Sequence, residues 1–198
     1  MSRGRGNLRG TAQPRFAGGF LMLTLLAVAR LVVGDEVWAL RPWRRYLLPG
    51  LMFLMGVLFW PVMTFYTNST IHMIAHGAWA QTLMLAGAAE LGLASGKLQS
   101  RWWHLCTALM MVVSGGAFIV HEQQHWLFSR AAFLHHAMGW TLIAGATFAV
   151  LRARWPRSSV AIAGFASVML VLAVMLFCDR DTAAIFGHLS QSSGYPHR

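Results

Sequence analysis

The chain of 198 residues is 57% hydrophobic, and only 11% of its residues carry a formal charge. Ordinary soluble domains contain about 25% charged residues, so this composition argues against a soluble enzyme, a disordered chain and a secreted disulfide scaffold. The net charge is +10, but the basic residues are scattered between long apolar runs. That distribution is typical of a protein whose partner is the lipid bilayer, and it does not indicate a nucleic-acid-binding surface.

Six apolar segments follow one another along the chain. A helix needs about 20 mostly apolar residues to span the hydrocarbon core of a membrane, and none of the segments alternates polar and apolar residues as the strands of a barrel would. Short connections make consecutive helices antiparallel neighbours. The sequence therefore predicts an all-α integral membrane bundle of six hydrophobic helices, at residues 16–33, 46–66, 71–94, 102–120, 131–151 and 159–178.

The first of these segments follows an arginine-bearing leader and imitates a signal peptide. No small-residue cleavage site follows it, because the chain continues with Asp35 and Glu36, and we therefore predict that it is retained. It either spans the membrane or lies in the interface, which would leave five spanning helices. The predicted organisation is a basic N-terminal tail at 1–15, the helical bundle at 16–180 and a C-terminal tail at 181–198.

Lysine and arginine are unevenly divided between the two ends of the predicted bundle. One end, which we call the arginine-rich end, holds eight of these residues: Arg41, Arg44, Arg45, Lys97, Arg101, Arg152, Arg154 and Arg157. The opposite end holds three lysine or arginine residues when the N-terminal tail is not counted. Basic loops face the cytoplasm, so the arginine-rich end is predicted to be cytoplasmic. Arginine outnumbers lysine fifteen to one, which is typical of a GC-rich bacterial genome and favours the bacterial inner membrane.

The histidines are divided in the opposite way. Only His104 belongs to the arginine-rich end, and the other eight of the nine fall at the opposite, non-cytoplasmic end, which we call the histidine end. This division depends on the alternation of the helices and not on their absolute orientation. The eight are two that open the third segment, two that close the fourth, two that open the fifth and two in the tail: His72, His76, His121, His125, His135, His136, His188 and His197.

Histidines grouped in this way predict a metal site. His72 and His76 are four residues apart, as are His121 and His125, so each pair can share one helical face. Neutral imidazole is the commonest protein ligand for transition metals, and copper or zinc is the ion that we favour. We expect binding rather than transport or catalysis. The first choices as ligands are His72, His76, His125 and His136, followed by His121, His135 and Glu122 in the first or second shell.

Three alternatives stay open. The paired histidines look like the histidine boxes of membrane desaturases and hydroxylases, which hold a non-haem di-iron centre, but here the boxes are shorter and a His-x-x-His-His element is missing. A single b-type haem between His76 and His136 is the second alternative. The third is an accessory subunit that packs on other membrane subunits without binding any metal.

One carboxylate lies inside a predicted span. Glu90 is about one turn from the arginine-rich end of the third segment, and His104 lies near the same end of the fourth. This placement is compatible with a hydrogen bond between them or with a proton relay. A structural pair is the interpretation that we favour, because polar side chains near the end of a span commonly reach toward the interface.

Residues 68–140 carry a family resemblance. The motifs are Asn68-Ser69-Thr70-Ile71-His72, His76, Ala89-Glu90-Leu91, Phe118-Ile119-Val120-His121-Glu122-Gln123, Leu127-Phe128, Arg130 and Phe133-Leu134-His135-His136. They resemble the transmembrane protein 45 family, in which histidines open one helix, close the next and open another. The chain is also similar to CopD-like copper-resistance membrane proteins. Both resemblances imply a multi-helix membrane protein, and neither implies a known reaction. The family's dense His-x-His-Gly-Arg element is replaced here by His-Glu-Gln-Gln-His at 121–125.

Overall fold

A computed structural model of the chain describes residues 9–34, 37–38, 40–66, 70–121 and 130–178. For residues 9–17, 61–66, 70–73, 75–76, 121 and 130–131 it describes the backbone alone. These described residues contain six α-helices, two short 3₁₀ helices and no strand, which confirms the predicted all-α fold. The α-helices are α1 (Arg9–Val33), α2 (Leu47–Tyr66), α3 (Thr70–Ala94), α4 (Leu105–His121), α5 (Arg130–Arg154) and α6 (Ser159–Cys178).

Each α-helix coincides with one predicted apolar segment, but two extend beyond it by more than one residue. Helix α1 begins at Arg9 rather than at residue 16, and α5 continues to Arg154 rather than ending at residue 151. Apolar composition marks the part of a helix that needs to be shielded from water, whereas the backbone hydrogen bonds continue into polar residues wherever no breaker intervenes. The 3₁₀ helix Arg101–His104 leads directly into α4.

Two glycines end helices at the arginine-rich end. Gly34 follows α1 with a φ of 81°, and Gly96 follows α3 with a φ of 77°. Side chains other than glycine rarely adopt this left-handed conformation, which ends a helix by turning the chain away from its axis. The connection between α5 and α6 lies at the same end of the bundle. There the Ala161 N–H donates to the Ser158 hydroxyl at 3.3 Å, so Ser158 caps the first turn of α6.

The helices form a closed ring in the order of the sequence. Each helix packs against the one before and the one after it, and α6 returns to pack against α1. Short connections explain the sequential neighbours. Among the described residues, the six helices therefore surround a common axis. Side chains that are far apart in the sequence can meet on that axis at each end of the ring.

The outer surface of the ring is apolar. Three helical stretches in the described residues are long and apolar enough to cross a membrane, Arg101–Val120, Ala132–Arg154 and Ser159–Cys178, while Gly18–Val33 is a shorter apolar helix. On α6, Val174 and Phe177 are each 53% exposed. Large apolar side chains that face outward along whole helices need lipid rather than water as their surroundings. The fold is therefore that of an integral membrane bundle.

An aromatic cluster lies inside the ring near its histidine end. Trp79 of α3 lies with its ring centroid 4.4 Å from that of Phe59, 4.7 Å from that of Phe118 and 6.3 Å from that of Phe20. These partners come from α2, α4 and α1, so one indole joins four helices. Trp79 is only 6% exposed, and the cluster therefore forms a buried apolar layer next to the histidine end.

Helices α4 and α5 approach each other closely at a pair of glycines. A Cβ atom on Gly115 would lie 2.6 Å from the Gly139 carbonyl oxygen, and one on Gly139 would lie 2.7 Å from the Gly115 carbonyl oxygen. Membrane helices pack tightly where small residues let their backbones meet. This contact brings the end of α4 that carries His121 toward the start of α5, where His135 and His136 lie.

Candidate functional site

Three neighbouring helix ends carry the predicted metal ligands. His72 and His76 lie in the first two turns of α3, His121 is the last residue of α4, and His135 and His136 lie in the second turn of α5. Helices α3, α4 and α5 are consecutive neighbours in the ring. The described backbone therefore places these five residues at one end of the bundle, on the ends of adjacent helices.

The two histidines of α5 are half-buried, and both have defined surroundings. His136 Nδ1 lies 2.9 Å from the Ala132 carbonyl oxygen. A carbonyl oxygen only accepts hydrogen bonds, so Nδ1 must carry the hydrogen, and the lone pair of the neutral ring is then on Nε2. The His135 ring lies 5.6 Å from the Phe118 ring of α4, measured between centroids. His135 therefore contacts the aromatic cluster. His136 has the tautomer that can coordinate a metal ion through Nε2.

The remaining predicted ligands are only partly covered by the structure. Glu122 and His125 lie outside the described residues, and the side chains of His72, His76 and His121 are likewise outside what is described. Within the side chains that are described, no group of three His, Cys, Asp or Glu residues could hold a metal ion.

At the arginine-rich end, a buried carboxylate is held by three donors. The Glu90 side chain of α3 is 3% exposed, and its Oε1 lies 2.7 Å from His104 Nδ1 and 3.0 Å from the Thr107 hydroxyl. Its Oε2 lies 2.9 Å from Arg152 Nη2 of α5. The hydrogen bond between Glu90 and His104, which the sequence left open, is present in the structure. The cluster, which we call the Glu90 cluster, joins α3, the start of α4 and the end of α5.

Thr107 and Arg152 are the members of this cluster that sequence reasoning missed, and Arg152 carries the charge. It was counted only among the loop arginines that set topology, whereas the structure pairs it with a carboxylate inside the bundle. The signal was present in the sequence: Glu90 is the one acidic residue within the predicted spans, and a buried carboxylate needs a cation or several donors. Among the three arginines that follow the fifth apolar segment, Arg152 is the nearest to that segment and lies within α5.

A small cavity adjoins the Glu90 cluster on the axis of the ring. Its volume is about 20 Å³, and its lining includes side chains from every helix, among them Ala27, Leu48, Glu90, Thr107, Arg152 and Ile162. This volume is about that of one water molecule, and the wall of the cavity is mostly apolar. Arg152 Nε is buried and has no hydrogen-bond partner among the described atoms, so one donor at the cavity is left unsatisfied.

Arginine and tryptophan are stacked around the rim of this end. The guanidinium carbon of Arg44 lies 5.9 Å from the Trp43 ring centroid, that of Arg101 lies 5.4 Å from Trp102, and that of Arg154 lies 5.3 Å from Trp155. The three pairs come from three different connections. Exposed indoles that carry guanidinium groups are typical of the headgroup layer of a membrane.

Comparison with protein families, with characterised proteins and with solved structures gives no match to this chain.

Proposed function

We propose that this chain is a membrane-integral metal-binding protein whose histidine end binds copper or zinc. The observation that carries the proposal is the convergence of histidine-bearing ends on three adjacent helices, α3, α4 and α5. Imidazole nitrogens from adjacent helices can together supply the ligands that these ions prefer. The candidate ligands are His72, His76, His121, His125, His135 and His136, with Glu122 as a further ligand or as a partner of one.

The tautomer of His136 supports this assignment. Histidines that bind metal commonly donate their second ring N–H to a carbonyl or a carboxylate, which orients the ring and raises its basicity. His136 donates from Nδ1 to the Ala132 carbonyl oxygen in this way. The ring is thus oriented before any ion binds, and its Nε2 has the lone pair that coordination requires.

The packing beneath the site favours binding over transport. Trp79 and its three phenylalanine partners pack together inside the ring near the histidine end. An ion that left its imidazole ligands toward the membrane centre would meet apolar rings without a lone pair to replace them. The excess of loop arginines at the other end favours a non-cytoplasmic position for the histidine end, and we propose the bacterial inner membrane as the location.

Elemental analysis and an absorption spectrum of the purified full chain in detergent test the proposal. Both are recorded first on the chain as purified, which is then stripped with a chelator, loaded with Zn²⁺ or with Cu²⁺ and desalted. We expect one ion per chain, which H72A/H76A and H136A lose, whereas the control H104Q at the opposite end retains it. A Soret band would overturn the proposal in favour of a b-type cytochrome, and two irons per chain would favour the di-iron enzyme. A chain that retains no metal would overturn the proposal and favour the remaining alternative, an accessory subunit that binds no metal.

A further inference from the structure

Two connections at the arginine-rich end meet at a pair of arginines. Arg101 Nη1 donates to the Arg154 carbonyl oxygen at 3.4 Å, although the two residues are 53 positions apart in the sequence. The 3₁₀ helix that begins at Arg101 packs against α5, which ends at Arg154. We propose that these two residues, the arginine pair, bind the phosphate group of an anionic phospholipid. This inference is independent of the function proposed for the histidine end.

The guanidinium groups of the arginine pair keep hydrogen-bond donors for an anion. Each group stacks on the indole that follows it in the sequence, Arg101 on Trp102 and Arg154 on Trp155. Stacking occupies the face of a guanidinium group and leaves the N–H groups at its edge available. Within the part of the chain that the structure describes, one N–H group of Arg101 has an acceptor and none of Arg154 does. Two oxygens of a phosphate group match such a donor fork.

The surroundings of the arginine pair are basic. The connection before α4 adds Lys97 and the connection after α5 adds Arg157, and both of these side chains are exposed. The sequence contains no Asp or Glu at residues 95–104 or 153–158. The nearby Glu90 is buried and already has its own ion pair. This excess of positive charge attracts an anionic headgroup and repels the ammonium group of a zwitterionic one.

An apolar stripe continues from the arginine pair along α4. Trp102 is followed by Leu105, Leu109 and Val112, and all four side chains are exposed. Intervals of four and three residues place the last three on one face of the helix. A phospholipid whose headgroup is held at the arginine pair can lay an acyl chain on this face, whereas inorganic phosphate has no apolar part to use it. The stripe therefore favours a lipid over a soluble anion.

The connection between α1 and α2 provides a matched comparison at the same end. Its residues Arg44 and Arg45 also lie over aromatic rings. These two arginines are adjacent in the sequence, however, and the same connection contains Asp35 and Glu36. Acidic residues in the connection reduce its attraction for an anion. Removing Arg44 and Arg45 therefore changes the net charge as much as removing the arginine pair, but it leaves the proposed lipid site intact.

Native mass spectrometry of the full chain in detergent tests the proposal. The chain is titrated with phosphatidylglycerol and, separately, with phosphatidylcholine of the same acyl chains. Because each basic residue near a membrane surface strengthens the binding of anionic lipid about fivefold, R101Q/R154Q should bind phosphatidylglycerol about tenfold or more weakly than the wild type. The control R44Q/R45Q should bind it within about twofold of the wild type. Phosphatidylcholine should bind the wild type about tenfold more weakly than phosphatidylglycerol.

The single variant R154Q keeps the test available if the double variant does not fold. It retains the backbone carbonyl to which Arg101 donates, and its affinity for phosphatidylglycerol should fall about fivefold. The proposal is overturned if R44Q/R45Q weakens binding as much as R101Q/R154Q does, because the attraction is then diffuse. Equal binding of the two lipids overturns it as well. An equal concentration of inorganic phosphate should leave the lipid bound, and displacement of the lipid by it would reveal a site for soluble anions instead.

Discussion

The two ends of the bundle use their polar side chains in different ways. At the arginine-rich end, Glu90 is bonded to groups from the start of α4 and the end of α5, so its hydrogen bonds connect helices. At the histidine end, His136 donates to a carbonyl of its own helix. One end therefore uses polar contacts to hold the ring together, and the other orients a side chain within a single helix.

This difference has an energetic consequence. Removing one partner from a buried charge pair leaves the other charge without compensation, which costs about 3–5 kcal/mol. Removing one intrahelical hydrogen bond costs about 1 kcal/mol. The arginine-rich end should therefore be sensitive to substitution in its stability, whereas the histidine end should be sensitive in its ligand binding. The following substitutions compare the two ends, from the largest expected effect to the smallest.

Glu90→Ala should have the largest effect. It leaves Arg152 and His104 buried without their acceptor, and we expect the free energy of unfolding in detergent to fall by about 3–5 kcal/mol. A double-mutant cycle with Arg152→Ala is the control, because removing both partners should cost less than the sum of the two single changes. A loss below 1 kcal/mol for Glu90→Ala would mean that the Glu90 cluster does not hold the ring together.

Gly115→Ala should have the next largest effect. Its new Cβ would lie 2.6 Å from the Gly139 carbonyl oxygen, so α4 and α5 must separate, and we expect a loss of about 1–3 kcal/mol in the free energy of unfolding. Gly116→Ala is a matched control, since nothing lies within 4 Å of a Cβ built there. Metal binding at the histidine end should also weaken in Gly115→Ala alone. Equal stabilities of the two variants would contradict the close approach of these helices.

His136→Ala should separate stability from binding. The variant loses the hydrogen bond to Ala132, which contributes about 1 kcal/mol to the free energy of unfolding, while the affinity for Zn²⁺ should fall at least tenfold. Thermal unfolding of the metal-free chain and a zinc titration of the same preparation measure the two quantities. If stability fell by about 3 kcal/mol or more with zinc affinity unchanged, His136 would be a structural residue.

Arg154→Gln should have the smallest effect. Its guanidinium group stacks on Trp155 at the exposed rim, and exposed cation–π contacts contribute about 0.5–1 kcal/mol. The coupling energy between Arg154→Gln and Trp155→Leu, measured by thermal unfolding in detergent, should lie in that range. A coupling several times larger would show that the rim, and not only the Glu90 cluster, stabilises the arginine-rich end.

Much of the fold was predictable because apolar segments of spanning length leave few alternatives to helices in a bilayer. The division of the histidines from the loop arginines followed from the same alternation of antiparallel helices. The bond between Glu90 and His104 was also within reach, since both residues lie at the same depth on neighbouring helices. Residue Arg152 was not assigned to the cluster, because a count of loop charges does not show which arginine turns inward.

The sequence by itself determined the helices, their order and which residues lie at which end, because these depend on local composition and on short connections. The tertiary structure decided which of those residues meet. Helix α6 packs against α1, the contact of Gly115 with Gly139 sets the spacing of α4 and α5, and Trp79 contacts phenylalanines of α1, α2 and α4. Such contacts join residues far apart in the chain, and only the packed helices bring them within bonding distance.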